Sequence, residues 1–447
     1  MLEQFVRAIK NSLGQSEVLL PALGLYHYER RGAHERARVH LRVDADGRGT
    51  LIVNANRIMH LNASAAVMAH LHLQGATEEE ALRSLRSVYR VGKNQARSDY
   101  VSFTNNLDEL LRPDGACPFH DLNVDVAAPF SARPSAPYRM DLALTYRCNN
   151  VCSHCYNPAG RAAAELTTTQ WKAILERLWE IGIPHIIFTG GEPTLRDDLA
   201  ELIQHAEGNG QITGLNTNGR RLCDAAYLQS LVDAGLDHVQ ITLESHDAAI
   251  HDHMVQRSGA WEQTVAGIRN CLNSSLYVMT NTTLLRENAC FLAQTLDYLA
   301  DLGVPTLGLN ALIYAGRGKE VGTGLDESEL PALLKVARQR TQAHDQRLIW
   351  YTPTEYCRFD PVQLELGVKG CTAALYNMCV EPDGTVIPCQ SAYQPVGDIR
   401  RDEWDRIWNH ELCVHLRERR YAPAKCRACA LLVECGGGCP LKMSAKD

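Results

Sequence analysis

Nowhere in these 447 residues is there an unbroken apolar run of membrane-spanning length. Residues 1–20 lack a basic region leading into an apolar core, so no secretory signal is evident and the cytoplasm is the expected location. Excess positive charge is missing too. The formal net charge is −7, which gives no support to general nucleic-acid binding. What the chain does have is cysteine, 16 in all. In a reducing compartment such thiols are metal ligands or buried side chains rather than disulfides. With 45% hydrophobic residues the chain can bury a large core, divided among two or three domains.

Three of the cysteines, Cys148, Cys152 and Cys155, form a C-x3-C-x2-C triplet directly after a strand-like run at 138–146. The spacing reads as a cradle for one iron-sulfur cluster. A cubane cluster normally takes four thiolates, one per iron, so a compact loop with three leaves one iron open. A structural zinc site is the alternative, because cysteines at short spacing are zinc's usual ligands. Zinc would want C-x2-C, or a histidine as fourth ligand. His154, inside the triplet, cannot easily turn onto the same metal as both its neighbours. About 35 residues on, an apolar strand ends in Gly190, Gly191, Glu192 and Pro193.

Onward from the triplet, strand and helix patterns alternate as parallel α/β units should. Strands are expected at 140–146, 185–189, 212–216, 238–243, 276–284 and 306–313, and helices at 168–181, 199–207, 225–234, 261–271 and 289–302. Six such units make a partial (β/α)6 barrel of TIM type, whose ligands gather at the carboxyl ends of the strands. Cys148 follows the first strand, Gly190 the second, Asn216-Thr217-Asn218-Gly219 the third and Thr242-Leu243-Glu244-Ser245 the fourth.

These residues resemble the radical S-adenosylmethionine (radical SAM) superfamily. The resemblance implies that the open iron chelates the methionyl amino and carboxylate groups of S-adenosylmethionine. It further implies that the Gly190–Pro193 turn meets the substrate amino group, the glycines allowing close approach and Glu192 accepting from the ammonium. By the same resemblance His154, Gly190, Gly191, Glu192, Asn216, Asn218, Thr242 and Glu244 are cofactor-binding, with short polar side chains reaching the ribose hydroxyls. One departure stands out. Many relatives carry an arginine in a His-Asp-x-x-Arg segment, and here His251-Asp252-His253-Met254-Val255 has valine, with Arg257 as a candidate substitute.

A second cysteine-rich region begins at Cys371. Cys371-x12-Gly384-x4-Cys389, followed by Cys426-x2-Cys429-x5-Cys435-x3-Cys439, resembles the SPASM extension, which binds two auxiliary 4Fe-4S clusters. Carried over, Cys371, Cys379, Cys389 and Cys439 hold the first and Cys426, Cys429 and Cys435 the second. The last cysteine of the family pattern does not appear before Asp447. An open iron that binds a substrate thiolate, a ligand supplied by Cys413 or Cys357, and a truncated chain are the competing explanations. A zinc ribbon over 426–439 is the alternative reading. Cys117, Cys223, Cys271 and Cys290 are expected as buried small hydrophobes.

Residues 1–112 belong to neither region. Runs at 38–43 and 50–54 read as a hairpin, a third strand follows at 57–61, and three helices come after it. Asn62 can cap the first helix, and Thr77 with Glu80 forms a capping box for the second. The order resembles the small winged-helix recognition element (PqqD-like, RRE) of peptide maturases, in which a precursor's leader adds a strand beside the third strand. An ordinary winged helix, reading DNA or propping a domain, is the alternative. Residues 1–112 hold 15 Lys plus Arg against 12 Asp plus Glu, a mild excess suited to an acidic leader rather than to DNA. The five prolines of 113–137 mark a linker.

The expected architecture is therefore an amino-terminal winged-helix (α+β) domain over 1–112, a linker over 113–137, the barrel over 138–315, a bridging region over 316–370 and SPASM over 371–447. The resemblance implies maturation of a ribosomally made peptide by a deoxyadenosyl radical, forming a thioether or carbon-carbon cross-link. Its implied cofactors are 4Fe-4S clusters and S-adenosylmethionine, and its partners are a precursor peptide and a one-electron donor such as flavodoxin or ferredoxin. Maturation of a folded sulfatase or dehydrogenase subunit, modification of a haem precursor, and a non-enzymatic zinc-stabilised peptide binder are the alternatives. Spacing nominates no acid or base. Tyr314, Arg317, Glu355 and Asp360 are cavity candidates by position alone.

Overall fold

The computed structural model describes residues 20–31, 36–111, 130–158, 160 and 164–444. The chain divides into two compact units, up to residue 127 and from residue 128 on. Cys117 and most of the expected linker lie outside the described residues.

In the first unit, β1 (Gly24–Arg31), β2 (Arg36–Val43), β3 (Gly49–Val53) and β4 (Arg57–Leu61) form an antiparallel meander in that order. Three helices follow, α1 (Ala63–Leu73), α2 (Glu78–Val88) and α3 (Lys93–Leu111). Val39, Leu41, Val43, Leu51 and Val53 of the inner strands pack on Ala69, Leu107 and Leu111. Asn62 caps α1 by accepting from the amide of Ala65, and Thr77 and Glu80 close the expected capping box on α2. The sheet has one strand more than the three expected. Strand β1 (GLYHYERR) contributes only Tyr26 and Tyr28 to the core and has no β-branched run, so its period was weak in the sequence. Strand β4 ends the sheet, which leaves its outer edge unpaired among the described strands.

The second unit is built on β5 (Arg139–Ala143), β6 (His185–Thr189), β7 (Ile212–Thr217), β8 (His238–Thr242), β9 (Tyr277–Leu284) and β10 (Thr306–Ala311), all parallel neighbours in chain order. Parallel pairing requires crossovers, and helices supply them: α4 (Thr168–Ile181), α5 (Leu199–Asn209), α6 (Ala225–Asp233), α7 (Ala248–Val255), α8 (Ala260–Leu272) and α9 (Leu292–Asp301). Helix α4 shows why these segments fold locally. Thr167 and Gln170 form a capping box, Trp171, Ile174, Leu175 and Leu178 make one buried stripe, and Gly182 stops the helix at φ 95°.

The sheet runs beyond the six expected strands at both sides. Helix α10 (Leu330–Ala343) leads to β11 (Arg347–Trp350), which adds parallel to β10. On the other side β12 (Asn377–Val380) pairs parallel with β5, and β13 (Thr385–Ile387) and β14 (Gly397–Asp398) continue antiparallel. The carboxyl-terminal cysteine-rich region is thereby hydrogen-bonded to the strand that leads into Cys148. Gly384, at φ +89°, makes the β12–β13 turn that turns the chain toward Cys389.

Candidate active site

The loop after β5 carries Cys148, exposed, with Cys152 and Cys155 half-buried. It is held from several strand ends at once. From the β6 turn, the amides of Gly191 and Glu192 donate to the carbonyls of Thr145 and Arg147 at 2.7 and 2.8 Å. From β7, Asn218 Nδ2 donates to Asn149 Oδ1 at 2.6 Å, and Arg220 reaches the Asn149 carbonyl and Asn150 Oδ1 at 2.6 and 2.9 Å. The amides of Val151 and Ser153 donate to the carbonyls of Val255 and Met254 at the end of α7, both at 3.0 Å. Beyond β10, the amide of Gly318 donates to the carbonyl of Cys155 at 3.2 Å. A loop fixed this way keeps its three thiols in place before any metal arrives.

Burial pushes the Cys148 thiol up to about 11 and that of Cys152 well above its usual value, and the neighbouring thiols add to both. Thiols held together on one loop suit a polycationic metal group that deprotonates them on binding. Among the described residues no group of three or more His, Cys, Asp or Glu is close enough to hold a single metal ion. An all-thiol donor set on one loop suits an iron-sulfur cluster.

Glu192 and the two glycines behave differently from the expectation. Glu192 is fully buried. Its Oε1 accepts from the Thr194 amide (3.1 Å), the Thr194 hydroxyl (2.7 Å) and the Thr217 hydroxyl (2.7 Å), and Oε2 accepts from the Asn218 amide (2.8 Å). Its carboxylate ties β6 to β7 rather than reaching for an ammonium. A Cβ on Gly190 would overlap the Thr145 carbonyl, and one on Gly191 those of Tyr146 and Arg147. The glycines therefore admit the protein's own cysteine loop. Spacing could not show this, since the partner backbone is about 45 residues away in sequence.

His154 and Glu244 likewise take each other as partners. His154 Nε2 lies 2.9 Å from Glu244 Oε1, and the Thr283 amide donates to Glu244 Oε2 at 2.9 Å. Burial works against a charged imidazole, but the Glu244 carboxylate outweighs it and raises the pKa of His154. Asn218 binds the cysteine loop, whereas Asn216 and Thr242 are half-buried with no side-chain partner, ready to meet a ligand. Val255 is buried, and the candidate substitute Arg257 donates to the Asn149 carbonyl at 3.1 Å. Arg317 is the cation that faces the thiols. It lowers the pKa of Cys148 and Cys152, and its Nε is buried without an acceptor. Glu355 pairs with Arg358 at 3.1 Å and Asp360 accepts from the Val362 amide, so neither joins the Cys148 loop. Tyr314 lies beneath Lys442, whose Nζ is 5.8 Å from the ring centroid.

A set of polar residues escaped the sequence reading. Along β8 the apolar Val239 and Ile241 are buried in the main core, while His238, Gln240 and Thr242 alternate with them on the other face. Tyr351 donates to Gln240 Oε1 at 3.0 Å, and Asn281 Oδ1 on β9 is buried without a partner. Asp141, fully buried on β5, pairs with Arg139 at 2.9 Å. The signal was the strict alternation of HVQIT, which puts polar side chains on one face of a covered strand.

In the carboxyl-terminal region burial raises the pKa values of Cys371, Cys389 and Cys439, and Cys439 adds to the rise at both Cys371 and Cys389. Cys379, on β12, is buried and near Asp141 and Glu381 as well as Cys389. Cys426 is affected by Cys435, Cys357 and Cys429. Gly436, Gly437 and Gly438, at φ 65°, 82° and 85°, turn the chain between Cys435 and Cys439. Cys271 is buried as expected, but Cys223 and Cys290 are exposed, each at the end of a single helical turn where no core covers it.

Residues 142–310 match the Radical SAM superfamily, and residues 371–430 match SPASM, an iron-sulfur cluster-binding domain. The PqqA peptide cyclase of Rhizobium meliloti (strain 1021) is 28% identical over 315 residues, covering 68% of this chain and 82% of that protein. The PqqA peptide cyclase of Bradyrhizobium diazoefficiens is 29% identical over 318 residues, with 68% and 81% covered. Among solved structures, Streptococcus suis SuiB bound to S-adenosylmethionine superimposes with a TM-score of 0.70 at 16% identity, over 92% of this chain and 96% of that one. SuiB bound to its precursor peptide SuiA gives 0.68 at 14% identity, over 94% and 97%.

Proposed function

We propose that this chain, which carries a radical SAM domain and a SPASM domain, is a maturase that cross-links a ribosomally made precursor peptide. The observation that carries the reading is the Cys148, Cys152 and Cys155 loop, pinned by the β6, β7, α7 and β10 ends beside an inner sheet face that is polar rather than packed. Relatives that act on PqqA and a fold shared with a SuiA-binding enzyme support a peptide as the substrate.

When bound, the cluster and S-adenosylmethionine supply a carbon-centred radical, and that chemistry belongs to the cofactor. The chain's own residues position and shield. The Cys148 loop holds the cluster with one iron free, and Asn216 and Thr242 offer polar atoms to the cofactor. Arg317 supplies a cation where an anionic carboxylate would sit. Gln240, Tyr351, Asn281 and the Arg139/Asp141 pair orient the peptide beneath the mouth. The product would lack two hydrogens relative to the precursor: the radical would take one as an atom, and the other would leave as a proton while an auxiliary cluster, when bound, would supply the acceptor for its electron. A flavodoxin or ferredoxin supplies the first electron.

The amino-terminal unit takes the leader. Strand β4 has an unpaired outer edge with Ile58 and His60 along it, and an extended peptide adds there by main-chain hydrogen bonds. No described helix is long and apolar enough to cross a membrane.

The test is anaerobic turnover with S-adenosylmethionine, dithionite and candidate precursor peptides encoded beside this chain. Deoxyadenosine together with a peptide lighter by two hydrogens is expected. Deoxyadenosine formed with a folded sulfatase or dehydrogenase subunit, and not with any precursor, would overturn the peptide reading.

A further inference from the structure

We propose that Cys357 is the fourth thiolate of the second auxiliary cluster, completing the set Cys426, Cys429 and Cys435. The inference rests on the carboxyl-terminal region binding iron-sulfur clusters, as its SPASM match states.

The segment before Cys357 runs directly along the segment after Cys435. The amide of Tyr356 donates to Cys435 Sγ at 3.3 Å, and the carbonyl of Thr354 lies 3.4 Å from the same sulfur. Gly438 sits so close that a Cβ there would stand 2.9 Å from Glu355 Cγ. Cys357 is the next residue, and the amides of Cys429, Leu432 and Cys435 donate to the carbonyls of Cys426, Cys429 and Leu431 at 3.0, 3.1 and 2.9 Å, which winds Cys426, Cys429 and Cys435 into one compact stretch. Four thiols from two separate stretches of chain thus converge.

The turn that presents Cys357 is anchored. The amide of Arg358 donates to the Glu355 carbonyl at 2.8 Å. The Arg358 guanidinium pairs with Glu355 at 3.1 Å and with the buried Glu327 at 2.8 Å, and Glu327 also pairs with Lys442 at 2.9 Å. One carboxylate therefore fixes the residue after Cys357 and the helical turn after Cys439 together. The competing donor, Cys413, is buried in the main core beside Arg417. Cys357 and Cys429 are exposed, so in the metal-free chain nothing shields their sulfurs.

With four protein thiolates this cluster has no open iron for a substrate thiolate, and its place in the reaction is to pass electrons. The test is alkylation by iodoacetamide of the anaerobically reconstituted full chain, read cysteine by cysteine by peptide mass spectrometry, against the same protein stripped of iron. Cys357 is expected to gain at least about tenfold protection on loading, together with Cys426, Cys429 and Cys435, while the exposed Cys290 labels equally in both. Labelling of Cys357 at the rate of Cys290 in loaded protein, with the other three protected, would overturn the assignment and keep the cluster. Loss of protection at all four would overturn the cluster itself. As a second readout, Cys357→Ser is expected to hold about one to four fewer irons per chain than Cys290→Ser, and equal iron in the two variants counts against the proposal.

Discussion

Replacing Glu192 by glutamine separates two roles that spacing alone leaves tangled. If the carboxylate were a contact for the cofactor's ammonium, Glu192→Gln would leave the fold intact and abolish S-adenosylmethionine binding. The geometry says otherwise. Three donors converge on Oε1 and one, the Asn218 amide, on Oε2. Glutamine can keep its oxygen at the three-donor position only by turning its NH2 against the Asn218 N–H. That leaves two buried donors facing each other, each costing about 1–3 kcal/mol. Burial disfavours the Glu192 charge and raises its pKa, so losing that charge returns part of the cost. A net destabilisation of about 2–3 kcal/mol follows, which for a unit of this size lowers the midpoint by roughly 3–5 °C. Cofactor affinity should fall less steeply, by about tenfold or less, because Asn218 and the cysteine loop shift rather than lose a direct contact. Paired thermal unfolding and anaerobic calorimetric titration with S-adenosylmethionine measure both. Unchanged stability with binding abolished would refute the strut and restore the direct contact.

Gly191→Ala forces a Cβ into the carbonyls of Tyr146 and Arg147, so the chain should fold while the cysteine loop is displaced. Iron should drop from about twelve to about eight per chain after reconstitution, and full retention of iron would contradict the role given to this glycine. Arg317→Met removes a half-buried cation whose Nε has no acceptor among the described residues. Stability should stay level or rise while cofactor affinity falls about tenfold, near 1.4 kcal/mol, and binding within twofold of the native value would exclude Arg317. His70 accepts from the Tyr28 hydroxyl through Nδ1 at 2.8 Å, and burial lowers its pKa from 6.5 to about 4. Its folded pKa lies below the unfolded one, so the stability it contributes is present above about pH 6.5 and is lost as pH falls toward 4. The loss amounts to about 3 kcal/mol. Hydrogen exchange over residues 24–31 and 63–73 should accelerate across that window, and constant protection down to pH 4 would refute it.

What could be read from the sequence was whatever depends on neighbours in the chain. Cys148, Cys152 and Cys155 lie within one loop, so their shared chemistry is carried by spacing, and the strands from 185 to 311 announce themselves by apolar runs between amphipathic helices. The misses have the opposite character. Strands β11 (RLIW) and β12 (NMCV) are four residues each, too short for a period, and exist because β10 and β5 offer unpaired edges. For Gly190 and Glu192 the motif could not show their contacts within the protein, because the atoms packed on them belong to Thr145–Arg147 and Thr217–Asn218. The auxiliary region shows the same limit most sharply. Spacing alone leaves Cys413 and Cys357 equal as missing ligands, since both lie outside the four-cysteine run. Folding separates them: Gly436, Gly437 and Gly438 turn the chain between Cys435 and Cys439, and Tyr356 then meets the first of those sulfurs while Cys413 stays in the core. A ligand set is a property of three-dimensional convergence, and here the approach of Tyr356 to the Cys435 sulfur is what favours Cys357 over Cys413.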